Sequence, residues 1–489
     1  MSDTLTALDA TFLELEQKDE GALMGIGGVS VFDPVPGGGA PSIDELCANL
    51  ATRLDYLPRY SQRLSSTRTG GLGWPHWTED DRFRVRDHVA HVALRAPGGY
   101  AELCEWAADF YSHRLDRTRP LWEMALIEGL AEDRWAIAHK THHCLVDGVG
   151  SVDVAYLLLD TEPNPSERPR APLPPPADSS LARPLVPSPT QPITHAAEAG
   201  VRVARAGLHA VVHPREALER SRSLAELIVR DELIGAPHTS LNVPIGSTRR
   251  FAVVNRPLAE LKTIRRRLGG SINDVVLAAC TTGLRRLLLS RGERPSRRGL
   301  RAMVPMNVRQ ESERLALGNR ISSLFVDLPI ATEDPVQRHW RITAATERLK
   351  ASHAATGAAA MLDLVALAPP IVHATLARSL YATRLFNVTI TNVPGPQIPL
   401  YAFGAKLREV HPVVPLAASH TVGIAIFSYN GLVTFGVIAD SESTPDIDVL
   451  SQGISDGIDE LLTLVVRADQ LDAREHARAR PTTSPTPTP

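Results

Sequence analysis

The sequence predicts a mixed α+β protein built from two domains. Its 489 residues exceed what one ordinary hydrophobic core holds. Stretches with the two-residue period of strands alternate with helical stretches in both halves. Between the halves, Thr161 to Thr194 is dense in proline and favours extended, solvated backbone rather than a core. We therefore predict an N-terminal domain over residues 1–160, a proline-rich linker and connecting helix over 161–240, a C-terminal domain over 241–468 and a disordered tail over 469–489.

Apolar periodicity and turn residues place the elements of the first half. The helix at 43–54 repeats apolar residues at spacings of three and four, and Ser42 is its expected cap. A turn near Gly129 should pair the strands on either side of it. Helices are predicted at 9–15, 43–54 and 101–114, and strands at 25–32, 83–94, 123–127 and 135–141.

The second half repeats the alternation and contains one clear hairpin. Asn430-Gly431 suits a type I′ turn between two apolar strands. Helices are predicted at 196–234 with a break at Pro214, at 258–268, 275–289 and 336–352, at 358–381 with an interruption at Pro369-Pro370, and at 447–466. Strands are predicted at 250–254, 300–308, 321–328, 387–391, 409–414, 422–428 and 432–438.

Composition excludes several classes of function. A net charge of -3 gives no reason to expect nucleic acid as a partner. The four cysteines are scattered singly, which argues against a zinc ribbon or a disulfide framework and favours a reducing compartment. The first residues lack the basic and apolar regions of a signal peptide, and there is no apolar run of about eighteen residues. We therefore expect a cytoplasmic protein.

The stretch from Trp135 to Gly150 is the best candidate for a site. His142 and His143 stand where a predicted strand ends, and Asp147-Gly148 follows as a turn. An imidazole can take a proton from a hydroxyl at neutral pH. Neighbouring strand residues point to opposite faces, so only one histidine should face a cavity. The alternative is a polar strand end with two satisfied histidines.

The order of several motifs resembles a known family. His142-His143-x-x-x-Asp147-Gly148 resembles the active-site motif of the superfamily that includes chloramphenicol acetyltransferase and peptide-synthetase condensation domains. Further segments are similar to one branch, the bacterial wax ester synthase/diacylglycerol acyltransferase family: Leu5 to Leu13, Pro120-Leu121-Trp122, Asn273-Asp274 and Asn392-Val393-Pro394-Gly395-Pro396. The resemblance covers roughly residues 4 to 466.

This resemblance implies two chloramphenicol-acetyltransferase-like α/β sandwich domains joined by a crossover linker. It also implies an O-acyltransferase that moves a long-chain acyl group from acyl-CoA, its co-substrate, to diacylglycerol or a long-chain alcohol. His143 corresponds to the general base, and Asp147 to the residue that shapes the loop. No permanently bound cofactor is expected. Peripheral contact with the inner membrane face or with lipid droplets is expected from the family and its lipid products.

The remaining motif residues receive supporting roles. An oxyanion needs a preorganised donor, and Asn273 at a helix start is the candidate, although Asn273-Asp274 could instead be a plain helix cap. Pro120, Leu121 and Trp122 carry no reactive group, so packing near the pocket is expected. Asn392, Pro394 and Gly395 could wall an acyl channel. Since no serine or cysteine is clearly placed as a nucleophile, direct transfer is expected, with Cys144 as the residue to test.

Four other interpretations remain open. His142 with Asp147 also fits the glycerolphosphate acyltransferase pattern, in which the first histidine is the base. Gly453-Ile454-Ser455-Asp456-Gly457 matches the hydrolase elbow. The histidine pair could ligate a metal, but adjacent strand residues diverge and no metal site is predicted. A non-catalytic lipid-binding protein could also keep this fold. The preferred acceptor, the acyl chain length and the oligomeric state are not predicted.

Overall fold

The computed structural model describes residue 5 and residues 7–54, 57–65, 75–145, 159–164, 235–307, 321–351 and 385–479. Several predicted features lie outside these ranges: the Asp147-Gly148 turn, most of the linker and the helices predicted at 196–234 and 358–381. The described part of the first half forms helices α1 Ala7–Lys18, α2 Ile43–Leu54 and α3 Tyr100–Phe110, and strands β1 Gly25–Phe32, β2 Gln62–Leu64, β3 Trp77–Glu79, β4 Val89–Ala93, β5 Trp122–Glu128 and β6 Trp135–His142.

The described part of the second half alternates strands and helices. Its helices are α4 Leu258–Leu268, α5 Ile272–Ser290, α6 Pro335–Ala351 and α7 Ile447–Ala479. Its strands are β7 Arg249–Pro257, β8 Leu300–Asn307, β9 Ile321–Leu328, β10 Val388–Pro394, β11 Tyr401–Ala402, β12 Ala405–Val413, β13 Val422–Tyr429 and β14 Leu432–Asp440.

The first large sheet carries the histidine pair. Its strand order is β11-β12-β1-β6-β5-β4, with β1 antiparallel to both β12 and β6, and β4 parallel to β5. The predicted pairing of the strands around Gly129 is confirmed, because β5 and β6 run antiparallel from Trp122 opposite Thr141. The order places β6, whose last residue is His142, in the interior of the sheet.

Two strands of this first sheet come from the second half of the chain. Residues 401–413 were predicted to belong to the C-terminal domain, but β11 and β12 extend the first sheet instead. Local periodicity could not show this, because the pairing of β12 with β1 joins residues nearly 400 positions apart, such as Gly27 and Val413. The predicted domains were contiguous stretches of sequence, whereas the sheet of the first half takes two strands from the second half. We call this contribution of β11 and β12 the strand exchange.

The second sheet has the order β7-β14-β13-β10-β8-β9 and is covered by helices. Residues of α4, α5, α6 and α7 share one large apolar core with its strands. The predicted hairpin between β13 and β14 is confirmed, and its turn residues Asn430 and Gly431 have φ angles of 43° and 84°, as a type I′ turn requires.

A further apolar core lies between the two sheets. It joins side chains of β1 and α3 with Phe251 on β7 and Ile438 on β14. The backbones approach closely at Gly436, where an added Cβ would lie 1.8 Å from the carbonyl oxygen of Pro412 on β12. Only glycine fits this contact between β12 and β14.

The C-terminal helix is longer than predicted. A disordered tail was expected from residue 469, but α7 continues to Ala479. Arg267 on α4 contacts Asp469 at 3.6 Å and Asp472 at 2.7 Å, so two solvent-exposed ion pairs join the first of the added turns to α4. The local residue pattern could not indicate these pairs, because they join distant residues. Across the described residues, no helix combines the length and apolar character that a bilayer span requires.

Candidate active site

His142 and His143 occupy different environments at the end of β6. His142 is fully buried, whereas His143 is half-buried. Backbone hydrogen bonds fix both residues, because the His142 N–H donates to the Leu121 carbonyl at 3.0 Å and the His143 N–H donates to the Met24 carbonyl at 2.9 Å. The strand end is therefore held from both sides.

Protein groups surround the ring of His142. The backbone N–H of Cys144 donates to its Nδ1 at 3.1 Å, and its Nε2 lies 3.5 Å from Oε2 of Glu16. Glu16 also accepts a hydrogen bond from Arg117 at 2.9 Å. Burial alone would raise the pKa of Glu16, but these contacts outweigh it and lower the pKa to about 2. Glu16 is therefore ionised at neutral pH.

The ring of His143 is stacked on Phe12. The ring centroids are 4.0 Å apart and the planes differ by 19°. Burial lowers the pKa of His143 to about 4, and a hydrogen bond to its own backbone opposes this shift. The ring is therefore neutral at pH 7 and retains a lone pair that can accept a proton.

Pro120, Leu121 and Trp122 support the strand end rather than offering reactive groups. The Leu121 carbonyl accepts the His142 N–H, and both Leu121 and Trp122 are buried. The indole N–H of Trp122 donates to the Tyr60 carbonyl at 2.7 Å, and its ring stacks on His88 at 4.6 Å. This segment fixes the start of β5 directly beside the histidine pair.

A small cavity of about 40 Å³ lies on the face of β6 that carries His139 and Thr141. Burial lowers the pKa of His139 to about 4, so His139, like His143, is neutral at pH 7. The wall is mostly apolar with a few hydroxyl groups: Ser30, Phe32, Tyr60, Trp122, Glu123, Met124, Ile137, His139, Thr141 and Leu159. His143 itself lies one residue past the end of β6, in the turn that follows, and is not part of this cavity's wall.

Asn273 and Asn392 meet in the second half. The Asn392 amide N–H donates to the Asn273 side-chain oxygen at 3.2 Å. Ser271 caps α5, and Asp274 returns the contact by accepting from the Ser271 backbone at 2.7 Å. The capping interpretation therefore holds for Asp274 but not for Asn273. Thr346 on α6 also donates to Asp274 at 2.7 Å, which ties the two helices together.

The segment after Asn392 continues strand β10. It pairs in parallel with β13 up to Pro394, and the Gly395 N–H donates to the Ser428 carbonyl at 2.9 Å. An added Cβ at Gly395 would lie 2.3 Å from the ring of Phe427 and 2.5 Å from the Ser428 carbonyl oxygen. Only glycine fits here. Asn392 is on strand β10 of the second sheet and Asn273 is on helix α5, whereas His142 ends strand β6 of the first sheet.

Comparison with known proteins identifies the family of the chain that carries this site. The sequence matches the wax ester synthase/diacylglycerol acyltransferase catalytic domain over residues 5–276 and the C-terminal domain of the same family over residues 317–462. The chain belongs to this family. A probable diacylglycerol O-acyltransferase, tgs1, of Mycobacterium tuberculosis H37Rv is 33% identical over 474 residues, which cover 95% of this chain and 96% of the relative.

Solved structures agree with the family and with the fold. A wax ester synthase/diacylglycerol acyltransferase from Marinobacter aquaeolei VT8 is similar at 27% identity and a TM-score of 0.65, with 94% of this chain and 99% of that chain covered. The first condensation domain of the calcium-dependent antibiotic synthetase is similar in fold alone, at 14% identity and a TM-score of 0.61 over 94% and 97% of the two chains. The predicted fold class is confirmed, and the chain is an acyltransferase of this family.

The geometry disfavours two rival interpretations and a covalent role for Cys144. Both ring nitrogens of His142 face protein groups, so this ring is poorly placed to act as the base on a substrate. Ser455 lies inside α7 rather than on a strand-to-helix turn, so Gly453 to Gly457 is not a hydrolase elbow. Burial also raises the pKa of the Cys144 thiol well above its usual value, which makes a thiolate nucleophile there unfavourable.

Sequence reasoning missed two residues that contact the histidines. Glu16 was left beyond the end of the helix predicted at 9–15, although α1 continues to Lys18. Phe12 was noted as part of the family's opening segment but was given no role. The available signal was the spacing of Phe12 and Glu16, which places both on one face of a helix.

Proposed function

We propose that the chain transfers a long-chain acyl group from acyl-CoA to the hydroxyl of diacylglycerol or a long-chain alcohol, with His143 as general base. The observation that carries this proposal is the half-buried, neutral imidazole at the end of β6, stacked on Phe12. The ring of His143 is neutral and interacts with the backbone of the same residue, so one ring nitrogen carries the proton and the other can accept one. Family membership supports the reaction class.

The proposed reaction needs one base and no covalent enzyme intermediate. The acceptor oxygen attacks the thioester carbonyl carbon while His143 takes the hydroxyl proton. The tetrahedral intermediate then collapses, the carbon–sulfur bond breaks and the protonated imidazole returns its proton to the CoA thiolate. Atoms and protons balance without a metal or redox cofactor.

Asn273 is proposed to stabilise the oxyanion of that intermediate. Its side-chain oxygen is held by Asn392, so its amide nitrogen is the group that can donate. Asn273 is the second residue of α5, where the helix dipole favours negative charge. Asn392, Pro394 and Gly395 are proposed to support this arrangement as part of the channel wall, and Asp147 and Gly148 to shape the loop after His143.

The protein is proposed to act at a lipid surface from the cytoplasm, as its family membership and lipid substrates suggest. Incubating the protein with phosphatidylcholine vesicles and separating bound from free protein by flotation tests this part. Protein that stays entirely at the bottom of the gradient would contradict it.

The central experiment measures CoA thiol release from palmitoyl-CoA with either dioleoylglycerol or hexadecanol as acceptor. We expect acceptor-dependent release, a loss of about 10²- to 10⁴-fold in kcat for His143→Ala and about 10²-fold for Asn273→Ala. His91→Ala is the matched control, because His91 is exposed and pairs only with Glu128 at 3.0 Å among the described contacts. Release that does not depend on an acceptor would contradict the proposal.

A further inference from the structure

One face of α1 contacts both histidines. Phe12 and Glu16 are four residues apart on this helix, so their side chains lie on the same face one turn apart. Phe12 stacks on the ring of His143, and Glu16 faces the ring of His142. Phe12 also packs with Leu15 and Met24 in a small apolar cluster beneath the strand end.

The Glu16 carboxylate is surrounded by hydrogen-bond donors. The Met24 backbone N–H donates to Oε1 at 3.2 Å, and Arg117 donates to Oε2 at 2.9 Å. Nε2 of His142 lies 3.5 Å from the same Oε2. Glu16 is only 2% exposed, and a buried carboxylate is tolerated only when such partners compensate for lost hydration. An ionised carboxylate accepts at both oxygens, which matches this set of donors.

The contacts of His142 define which ring nitrogen carries its proton. Nδ1 accepts the Cys144 N–H, so in the neutral ring the proton must be on Nε2. That nitrogen lies 3.5 Å from Oε2 of Glu16, which is longer than an ordinary hydrogen bond but close enough for electrostatic attraction to a proton on Nε2. The opposite tautomer would place two donors against each other at Cys144 and leave a lone pair facing a negative charge.

Glu16 also reaches His143 through the backbone. The Met24 N–H is held by Glu16, and the Met24 carbonyl accepts the His143 N–H at 2.9 Å. Two separate routes therefore lead from one carboxylate to the two neighbouring histidines.

We propose that Glu16 is a positioning residue for the acyl transfer: its carboxylate holds His142 in the Nε2–H tautomer and, through Met24, fixes the backbone that orients His143. The kinetic part of this inference rests on the proposed function. Glu16 does not touch the substrate, and its action is on the orientation of the base.

Glu16→Gln is the direct test. A glutamine amide presents one acceptor and one donor, and all three neighbours of Glu16 are donors, so either orientation of the amide creates a donor–donor contact. We expect kcat to fall about 10- to 100-fold, the range seen when a group that orients a metal-bound histidine is removed, with KM for palmitoyl-CoA changed less than about threefold. Glu20→Gln, the same change at an exposed position, should stay within about twofold of the wild type.

A spectroscopic measurement separates positioning from general damage. In the full chain labelled with ring-¹⁵N histidine, His142 resonances are assigned by their loss in His142→Gln. We expect the Nε2–H tautomer in the wild type and an increase of the Nδ1–H form in Glu16→Gln. This spectrum needs no catalysis, so absence of acyl-transfer activity in the wild type would contradict the proposed function while leaving the tautomer result decisive for Glu16.

Glu16→Asp covers the case in which the glutamine variant does not fold. It keeps the charge while shortening the side chain, so it should keep the Nε2–H tautomer and recover part of the kcat. An unchanged kcat in Glu16→Gln would overturn the inference. So would a His142 tautomer that is Nδ1–H in the wild type, or one that does not respond in either variant.

Discussion

At the scale of single residues, the side chains of the adjacent histidines His142 and His143 contact different kinds of groups. His142 is enclosed by a backbone N–H and a carboxylate, whereas His143 lies against an aromatic ring and is half-buried. β6 ends at His142 and His143 begins the following turn, so the two rings enter different surroundings. The sequence pattern predicted that only one of the two histidines would face a cavity, and their catalytic roles stay a prediction. It could not identify Glu16, since the contacts of that carboxylate come from Arg117 and His142, more than 100 residues away.

The lowered pKa of His143 predicts the acid limit of the activity. The base must be neutral to accept a proton, and burial lowers its pKa from 6.5 to about 4. We therefore expect kcat/KM to stay level as the pH falls from 7 to about 5 and to decline only near 4. A pH series with a short-chain acyl-CoA and a soluble alcohol measures this. An inflection near 6.5 would contradict the buried, neutral ring.

At the scale of secondary-structure elements, the best predictions concern segments whose pattern is local. Strand β1, helices α2 and α4, and strand β9 begin and end at the predicted residues. Their apolar spacing and turn residues lie within the segment itself. The predicted strand at 83–94 is only partly right, because residues 85–88 form a short 3₁₀ helix before β4. The Nδ1 of His88 there contacts the Trp122 carbonyl at 2.8 Å, a contact outside the local pattern.

Helices α5 and α7 meet through glycines that sequence analysis first considered as part of a hydrolase motif. An added Cβ at Gly453 would lie 2.8 Å from Cα of Gly283, and one at Gly457 would lie 2.7 Å from Cβ of Thr282. These distances are shorter than real Cβ contacts allow. The small residues therefore serve close packing of two helices, and Ser455 between them accepts a hydrogen bond from Arg256 at 3.1 Å.

Substitution in this contact should weaken the protein. Gly457→Ala forces a methyl group against Thr282, and overpacking of this kind costs about 1–3 kcal/mol of the free energy of unfolding. The better helix propensity of alanine returns about 1 kcal/mol, so we expect a net loss of up to about 2 kcal/mol. Gln470→Ala, at an exposed position of the same helix, should change that free energy by less than about 0.5 kcal/mol. Thermal unfolding followed by circular dichroism measures both. A melting temperature of Gly457→Ala above that of the wild type, as the helix propensity of alanine alone would give, would refute the close approach of the helices.

At the scale of the whole molecule, the two halves are interlocked by strand exchange. β12 pairs with β1 in the first sheet and touches β14 of the second sheet, where Gly436 meets Pro412. Residue patterns predicted two sheets with helices, but the exchange could not be predicted from them. Which strands become neighbours is decided by contacts between segments far apart in the chain rather than by local spacing.

This exchange predicts that a fragment of residues 1–160 does not fold alone. Without β12, the backbone groups of β1 on one side lose their partners, and Phe32 loses its strand neighbour Leu407. We expect the purified fragment to aggregate or to give a poorly dispersed amide spectrum. Adding a separate fragment of residues 235–489 should restore dispersion. A cooperative thermal transition of the first fragment by itself would contradict the prediction.

The position of β12 late in the sequence also delays completion of the first sheet during synthesis of the chain. By the time the ribosome has added His142, the central strands of the first sheet exist, yet the strand that completes their open edge is about 270 residues away. At 5–20 residues per second this interval lasts roughly 15 to 55 s. Throughout that time one edge of β1 lacks the strand that pairs with it in the folded protein, and such an edge can pair with other chains.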